Sequence, residues 1–231
     1  MQRREFIRKA GLGLAAAAST AAVPAIAQSP APPAAPPAAE PQGKGLPTIK
    51  WRMASSFPKS LDTIYGGGET LAKRVAEITE GKFEIRVFAG GEIVPPFGVL
   101  DAVQQNTVEV CHTASYYFHG KNKAFSLDCS VPFGLNARQM FAWFQHGEGG
   151  PLLREFFAKY NVVNFQGGDT GAQMGGWFRK EIKSLSDVKG LKIRIPGFGA
   201  EVFSALGAVP QSLPGGEIYP ALERGAIDAA E

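Results

Sequence analysis

Apolar and polar positions alternate with period two at 48–55 (ThrIleLysTrpArgMetAlaSer) and 83–88 (PheGluIleArgValPhe), and strand formers gather at 108–114 (ValGluValCysHisThrAla). These stretches read as strands, because successive strand side chains point to opposite faces. Between them the period lengthens. Leu61, Ile64, Leu71, Val75 and Ile78 form a helical stripe that Ser60 can cap and Gly81 can stop, and a second helix is predicted over Phe97–Gln105. Gly66, Gly67 and Gly68 interrupt the first helix and predict close packing or a bend there. Strand, helix, strand, helix, strand with short connections implies a sheet with parallel crossovers.

The second half repeats the alternation of element types. Asn136 caps a helical pattern and Pro151 opens another, with GlyGluGlyGly between them; a short strand is expected at 161–165. Leu191, Ile193 and Ile195 alternate with Lys192 and Arg194, so Arg194 sits on the face away from the isoleucines, near the strand end set by Pro196 and Gly197. A helix near 199–206, a strand at 208–213, a helix near 217–224 and the start of a strand at 226–231 complete the pattern.

Arg194 is the first candidate for chemistry. Its planar fork of donors matches both oxygens of a carboxylate; the alternative is a solvated arginine on a strand edge. HisThrAlaSerTyrTyrPheHisGly, 112–120, gathers His112, Tyr116, Tyr117 and His119 at the end of the third strand. Tyrosine hydroxyls lining a pocket fit this cluster better than a metal site, since no cysteine pair or carboxylate group has structural-zinc spacing, and buried core aromatics with satisfied hydroxyls fit it equally well. Phe57 and Lys59 fall at the C-terminal end of the first strand, the end at which open α/β sheets bind ligands. Cys111 and Cys129 are read as free thiols.

Composition changes the picture at the amino terminus. ArgArgGluPheIleArgLys, a short alanine-rich run and AlaIleAla at 25–27 have the layout of a twin-arginine export signal cleaved after Ala27, giving a periplasmic product. Residues 28–47 are an Ala/Pro-rich linker with too little apolar surface to fold. The net charge of +3 belongs to the leader, which holds four of the 24 basic and one of the 21 acidic side chains and leaves 20 of each. A neutral remainder without a basic patch argues against nucleic acid. No GxSxG, HExxH, phosphate loop or dinucleotide fingerprint supplies a nucleophile with its base.

TrpArgMetAlaSerSerPheProLysSerLeuAspThr (51–63), GlyAlaGlnMetGlyGlyTrpPheArgLys (171–180), GlyLeuLysIleArgIlePro (190–196) and GlyGlyGluIleTyrProAlaLeuGluArgGlyAlaIleAspAlaAlaGlu (215–231) resemble the substrate-binding proteins of tripartite ATP-independent periplasmic (TRAP) transporters, above all those that bind 2-oxo acids such as pyruvate. The resemblance covers 48–231 and implies a two-lobed α/β fold of the Venus-flytrap type: a first lobe over 48–165 and a partial second lobe over 166–231, in a chain shortened at its carboxyl end. It implies a non-catalytic receptor that delivers a small organic acid to the transporter's membrane subunits, with a homodimer in the full-length protein. It also implies that Arg194 grips the carboxylate and that Gln173 and Glu231 hold a bridging sodium or calcium ion. With Tyr116 and Phe57, these are the candidate site residues. The competing readings are a periplasmic enzyme using His112, His119 or Glu231 as a base, and a receptor remnant that no longer binds.

Overall fold

The computed structural model describes residues 45 and 47–231. The leader expected over 1–27 lies outside the described residues, as does all of the 28–47 linker except Gly45 and Pro47.

The first sheet is three-stranded and parallel, in the order β2-β1-β3, with β1 at Ile49–Ser55, β2 at Phe83–Phe88 and β3 at Val110–His112. Trp51 pairs with Ile85, and Ala54 with both Phe88 and Cys111. The crossovers carry α1 (Asp62–Ile78) and α2 (Val99–Gln104). Two 3-10 turns follow β3, Ser115–Phe118 and Lys123–Ser126, and then α3 (Ala137–His146) and α4 (Gly149–Ala158). Val99, Val108, Phe118, Phe125, Leu153 and Phe157 are buried together as this half's core.

The second sheet has the order β4-β7-β5-β6, with β4 at Trp177–Phe178, β5 at Lys192–Arg194, β6 at Val209–Gln211 and β7 at Ala229–Ala230. β4 runs antiparallel to β7, and β5 is parallel to β6 and β7. Helices α5 (Gly197–Ala205) and α6 (Gly215–Glu223) follow β5 and β6. Val188, Leu191, Ile193, Ile195, Ala208 and Ala229 form its core.

Several sequence expectations need correction. Ser60 does not cap α1: Leu61 stands at the N-cap with no side-chain bond, because its amide closes a turn onto the Pro58 carbonyl at 3.0 Å. The three glycines do not break α1. A Cβ at Gly68 would lie 3.1 Å from His112 Nδ1 and 3.2 Å from Met53 Sδ, so this glycine admits the strand side chains, while Gly66 and Gly67 face open space. Helix α4 starts within the GlyGluGlyGly stretch, two residues before Pro151. The strand expected at 161–165 is absent. Asn161 takes a left-handed turn with φ 57°, Val162 bonds back to the Phe157 carbonyl and packs on the first core, and Val163 and Phe165 point into solvent. A period-two pattern is not enough where no strand edge is available to pair.

Candidate functional site

Arg194 ends β5 between Ala230 of β7 and Gln211 of β6, its partners in register. Its face is the one opposite Ile193, as alternation requires, but it is not a solvated surface residue: Arg194 is 5% exposed. Its Nε donates to the Leu213 carbonyl at 3.0 Å and its Nη1 to the main-chain oxygen of Glu231. Among the described residues Nη2 has no protein partner, so one arm of the guanidinium stays free to donate.

Glu231 follows β7 directly, and its amide donates to the Arg194 carbonyl at 2.9 Å. This continues the β5–β7 ladder and fixes the two residues side by side. Glu231 Oε2 lies 3.7 Å from Arg194 Nη1. Burial pushes the Glu231 carboxyl above its ordinary value, and the guanidinium pulls the other way. The carboxyl is therefore poorly hydrated and gains from a further cation.

Tyr116 comes from the turn after β3 and shares a cleft with Ile195 and Pro196, the residues that follow Arg194. Burial first, and Tyr117 next, push its phenol well above the ordinary value, with opposing pulls from Arg194 and Glu231 that put its hydroxyl within electrostatic reach of both. Tyr116, His119, Gly197, Glu201 and Ser212 line a cleft of about 240 Å³ between the two halves. Phe57, 7% exposed, is a core residue of the first half, clustered with Tyr65 and Ala89, and is not among the residues lining this cleft. It packs edge-on against His112 at 5.1 Å and tilted against Tyr117 at 6.2 Å, the ring that in turn touches Tyr116 at 4.8 Å.

Gln173 is not brought into contact with these residues. It is exposed, its Nε2 donates to Thr170 Oγ1 at 2.8 Å, and it shares no hydrogen bond with Arg194 or Glu231 among the described residues. Its segment is nevertheless tethered to the site, since β4 pairs Trp177 with Ala230 and a Cβ on Gly176 would lie 3.2 Å from the Ala230 carbonyl. Gln173 lies three residue steps from Gly176, a reach of about 10 Å.

Among the described residues no three His, Cys, Asp or Glu side chains converge as a metal cluster. A cation beside Glu231 would draw its other ligands from main-chain, amide and substrate oxygens, which suits sodium or calcium better than zinc. The two histidines differ: His119 has both ring nitrogens engaged, whereas His112 Nδ1 is buried without a hydrogen-bond partner among the described residues. His112 turns its ring to Gly68 and Phe57, and burial lowers its pKa. His119 is held by Ser126 at 2.9 Å and Glu201 at 3.1 Å. Cys111 and Cys129 are free thiols, and burial pushes that of Cys111 up to about 11.

Sequence reasoning missed Glu201 and the partner carbonyl of Leu213. The carbonyl carries no side-chain signal. Glu201 stands in a helix whose orientation toward His119 depends on tertiary packing.

A profile of the bacterial extracellular solute-binding proteins, family 7 (DctP), matches residues 54–231. The chain belongs to this family. It is 61% identical over 187 residues to a monocarboxylate 2-oxoacid-binding periplasmic protein of Nostoc, covering 81% of this chain and 51% of that one. A TRAP transporter solute-binding protein of Bordetella bronchiseptica, solved as a mixed-occupancy dimer with copurified calcium and picolinate in one site, superposes with TM-score 0.78 and 57% identity over 80% of this chain and 55% of its own. One from Pseudoalteromonas atlantica with bound sodium and pyruvate gives TM-score 0.77 and 41% identity, covering 80% and 56%. The family 7 chain described here thus has the two-lobed α/β architecture of TRAP solute-binding proteins and spans about half the length of these relatives.

Proposed function

We propose that this chain forms the first lobe and part of the second lobe of a periplasmic TRAP receptor for a 2-oxo monocarboxylate such as pyruvate, and that it binds without catalysis. The observation that carries the reading is the buried Arg194 guanidinium with one free arm at a strand end, beside the half-buried Glu231 carboxylate. A 2-oxo acid presents one carboxylate to Nη2 and an oxo oxygen to a cation on Glu231. The pair of positive charges then neutralises the acid in a cleft where an unpaired charge would be costly. Tyr116 closes the pocket from the first half with a hydroxyl that burial keeps protonated and able to donate, and Phe57 supports it through Tyr117. Gln173 joins as a second oxygen ligand when its glycine-rich segment folds over the site; Gly171 and Gly176, with φ 74° and 139°, permit that movement. The metals and acids bound in the Bordetella and Pseudoalteromonas proteins support the ligand class.

The lobes are assigned to 48–165 and 166–231, in keeping with two sheets that draw their strands from 49–112 and 177–230. Delivery to TRAP membrane subunits and a homodimer in the full-length protein follow from the same reading. Within this reading the enzyme alternative is disfavoured because His119 has both ring nitrogens engaged, by Ser126 and Glu201, and the His112 ring is turned to Gly68 and Phe57.

Equilibrium titration with pyruvate, in calcium or sodium and again after chelation in a salt lacking both, tests the reading. Saturable binding that weakens without the cation, with pyruvate recovered unchanged, supports it. Turnover of pyruvate, or no binding by folded protein, contradicts it.

A further inference from the structure

Helix α5 begins three residues after Arg194, so whatever holds its first turn also holds the end of β5. Its start is built around Gly197, at φ 63°, where a Cβ would meet Ser130 Oγ at 2.9 Å and both Ser126 Oγ and Tyr116 Cβ at 3.2 Å. The next residue, Phe198, and Glu201 one turn on meet the 119–126 segment of the other half. The His119 ring packs edge-on against Phe198 at 4.9 Å, and its Nε2 donates to Glu201 Oε1 at 3.1 Å. The ring is fixed on its far side by Ser126, which is wholly buried and 2.9 Å from Nδ1. Lys123 Nζ approaches the same Glu201 oxygen at 2.6 Å. Both ring nitrogens are thus used, and the helix is gripped by a lysine and a histidine at Glu201 and by the close fit of Gly197 against the Ser126, Ser130 and Tyr116 side chains.

We propose that His119, Lys123 and Glu201 form a clasp that positions the Ile195–Phe198 turn, and with it Arg194, against the Tyr116 turn before ligand arrives. These are positioning residues: none of them touches the free arm of the guanidinium. The consequence for affinity rests on the receptor reading above, whereas the clasp itself does not. Preordering the two halves lowers the ordering cost that a ligand must meet, and so slows its release.

Amide hydrogen exchange of the full chain without ligand, combined with pyruvate dissociation rates, tests the clasp. Glu201→Ala and His119→Ala should each speed exchange over 197–205 about three- to tenfold, the effect of losing a charge-assisted contact that is partly exposed. Exchange over 49–88 should not change, and the double variant should be little worse than either single one. Glu201→Gln, which keeps an oxygen facing His119, should restore most of the protection. Pyruvate should leave Glu201→Ala faster by a similar factor. Unchanged exchange in α5, or a uniform rise along the whole chain, overturns the clasp. Faster exchange with unchanged dissociation overturns its link to affinity. Failure of the unmodified chain to bind pyruvate overturns the receptor reading and leaves the exchange result to decide the clasp alone.

Discussion

Arg194 and Glu231 are bound to each other twice through the backbone and side chain: the Glu231 amide donates to the Arg194 carbonyl, and Arg194 Nη1 donates to the Glu231 main-chain oxygen. A buried guanidinium is thereby held with two of its nitrogens on carbonyls and one side free. The carboxylate of Glu231 stays close enough to moderate its charge without closing a tight ion pair, 3.7 Å from Nη1. This arrangement suits an anion that comes and goes better than a permanent salt bridge would.

Cation dependence should follow the protonation of Glu231. Burial raises its carboxyl above its ordinary value, so lowering the pH protonates it earlier than an exposed glutamate and would remove the oxygen ligand proposed for the cation. Calcium should therefore enhance pyruvate affinity at neutral pH and lose that effect as the pH falls through the raised pKa. Glu231→Gln should show little calcium enhancement at any pH. Titration calorimetry over a pH series reads both, and a pH-independent calcium effect in the unmodified protein would refute the role.

Gly197 combines a left-handed backbone with contacts too close for a side chain. Gly197→Ala should cost about 1–3 kcal/mol. Thermal denaturation should show a drop of several degrees, at about 2–4 °C per kcal/mol for a chain of this size. An unchanged melting temperature would mean that the Tyr116 and α5 segments part easily.

Acid sensitivity should have a component from Glu109. Arg52 grips its carboxylate through Nη2 at 2.8 Å and donates its amide at 2.7 Å, and these bonds hold the Glu109 pKa at about 2 instead of 4.5. A depressed folded pKa contributes stability that is present above 4.5 and is lost as the pH falls toward about 2. Urea denaturation of the unmodified protein and Glu109→Gln should give stability curves that differ above pH 4.5 and converge toward pH 2. Parallel curves would exclude the linkage.

The strands were legible where alternation met a neighbour to pair with. Lys192–Arg194 and Phe83–Phe88 were placed by period alone, and 161–165 shows that the same period without a partner edge yields a loop. Alternation also put Arg194 on the correct face but could not distinguish solvent from a second layer of protein; the Leu213 carbonyl and the Glu231 backbone that bury it come from the segments just after β6 and β7. Trp177 and Phe178 form a strand too short for any period to show, flanked by glycines at 175 and 176. The pairing of Glu231 with Arg194 came from resemblance, and the register of β5 against β7 supplies its physical cause. Gln173 has no such anchor, and it makes no hydrogen bond to Arg194 or Glu231 among the described residues.

The most direct test is calorimetric titration of pyruvate, with calcium present, into the unmodified protein and into Arg194→Ala, with circular dichroism confirming that both are folded. The account predicts saturable binding by the former and an affinity loss of about tenfold to a hundredfold or more in the latter, as expected when a buried charge-assisted carboxylate contact is removed. Equal affinity in the two proteins would contradict it.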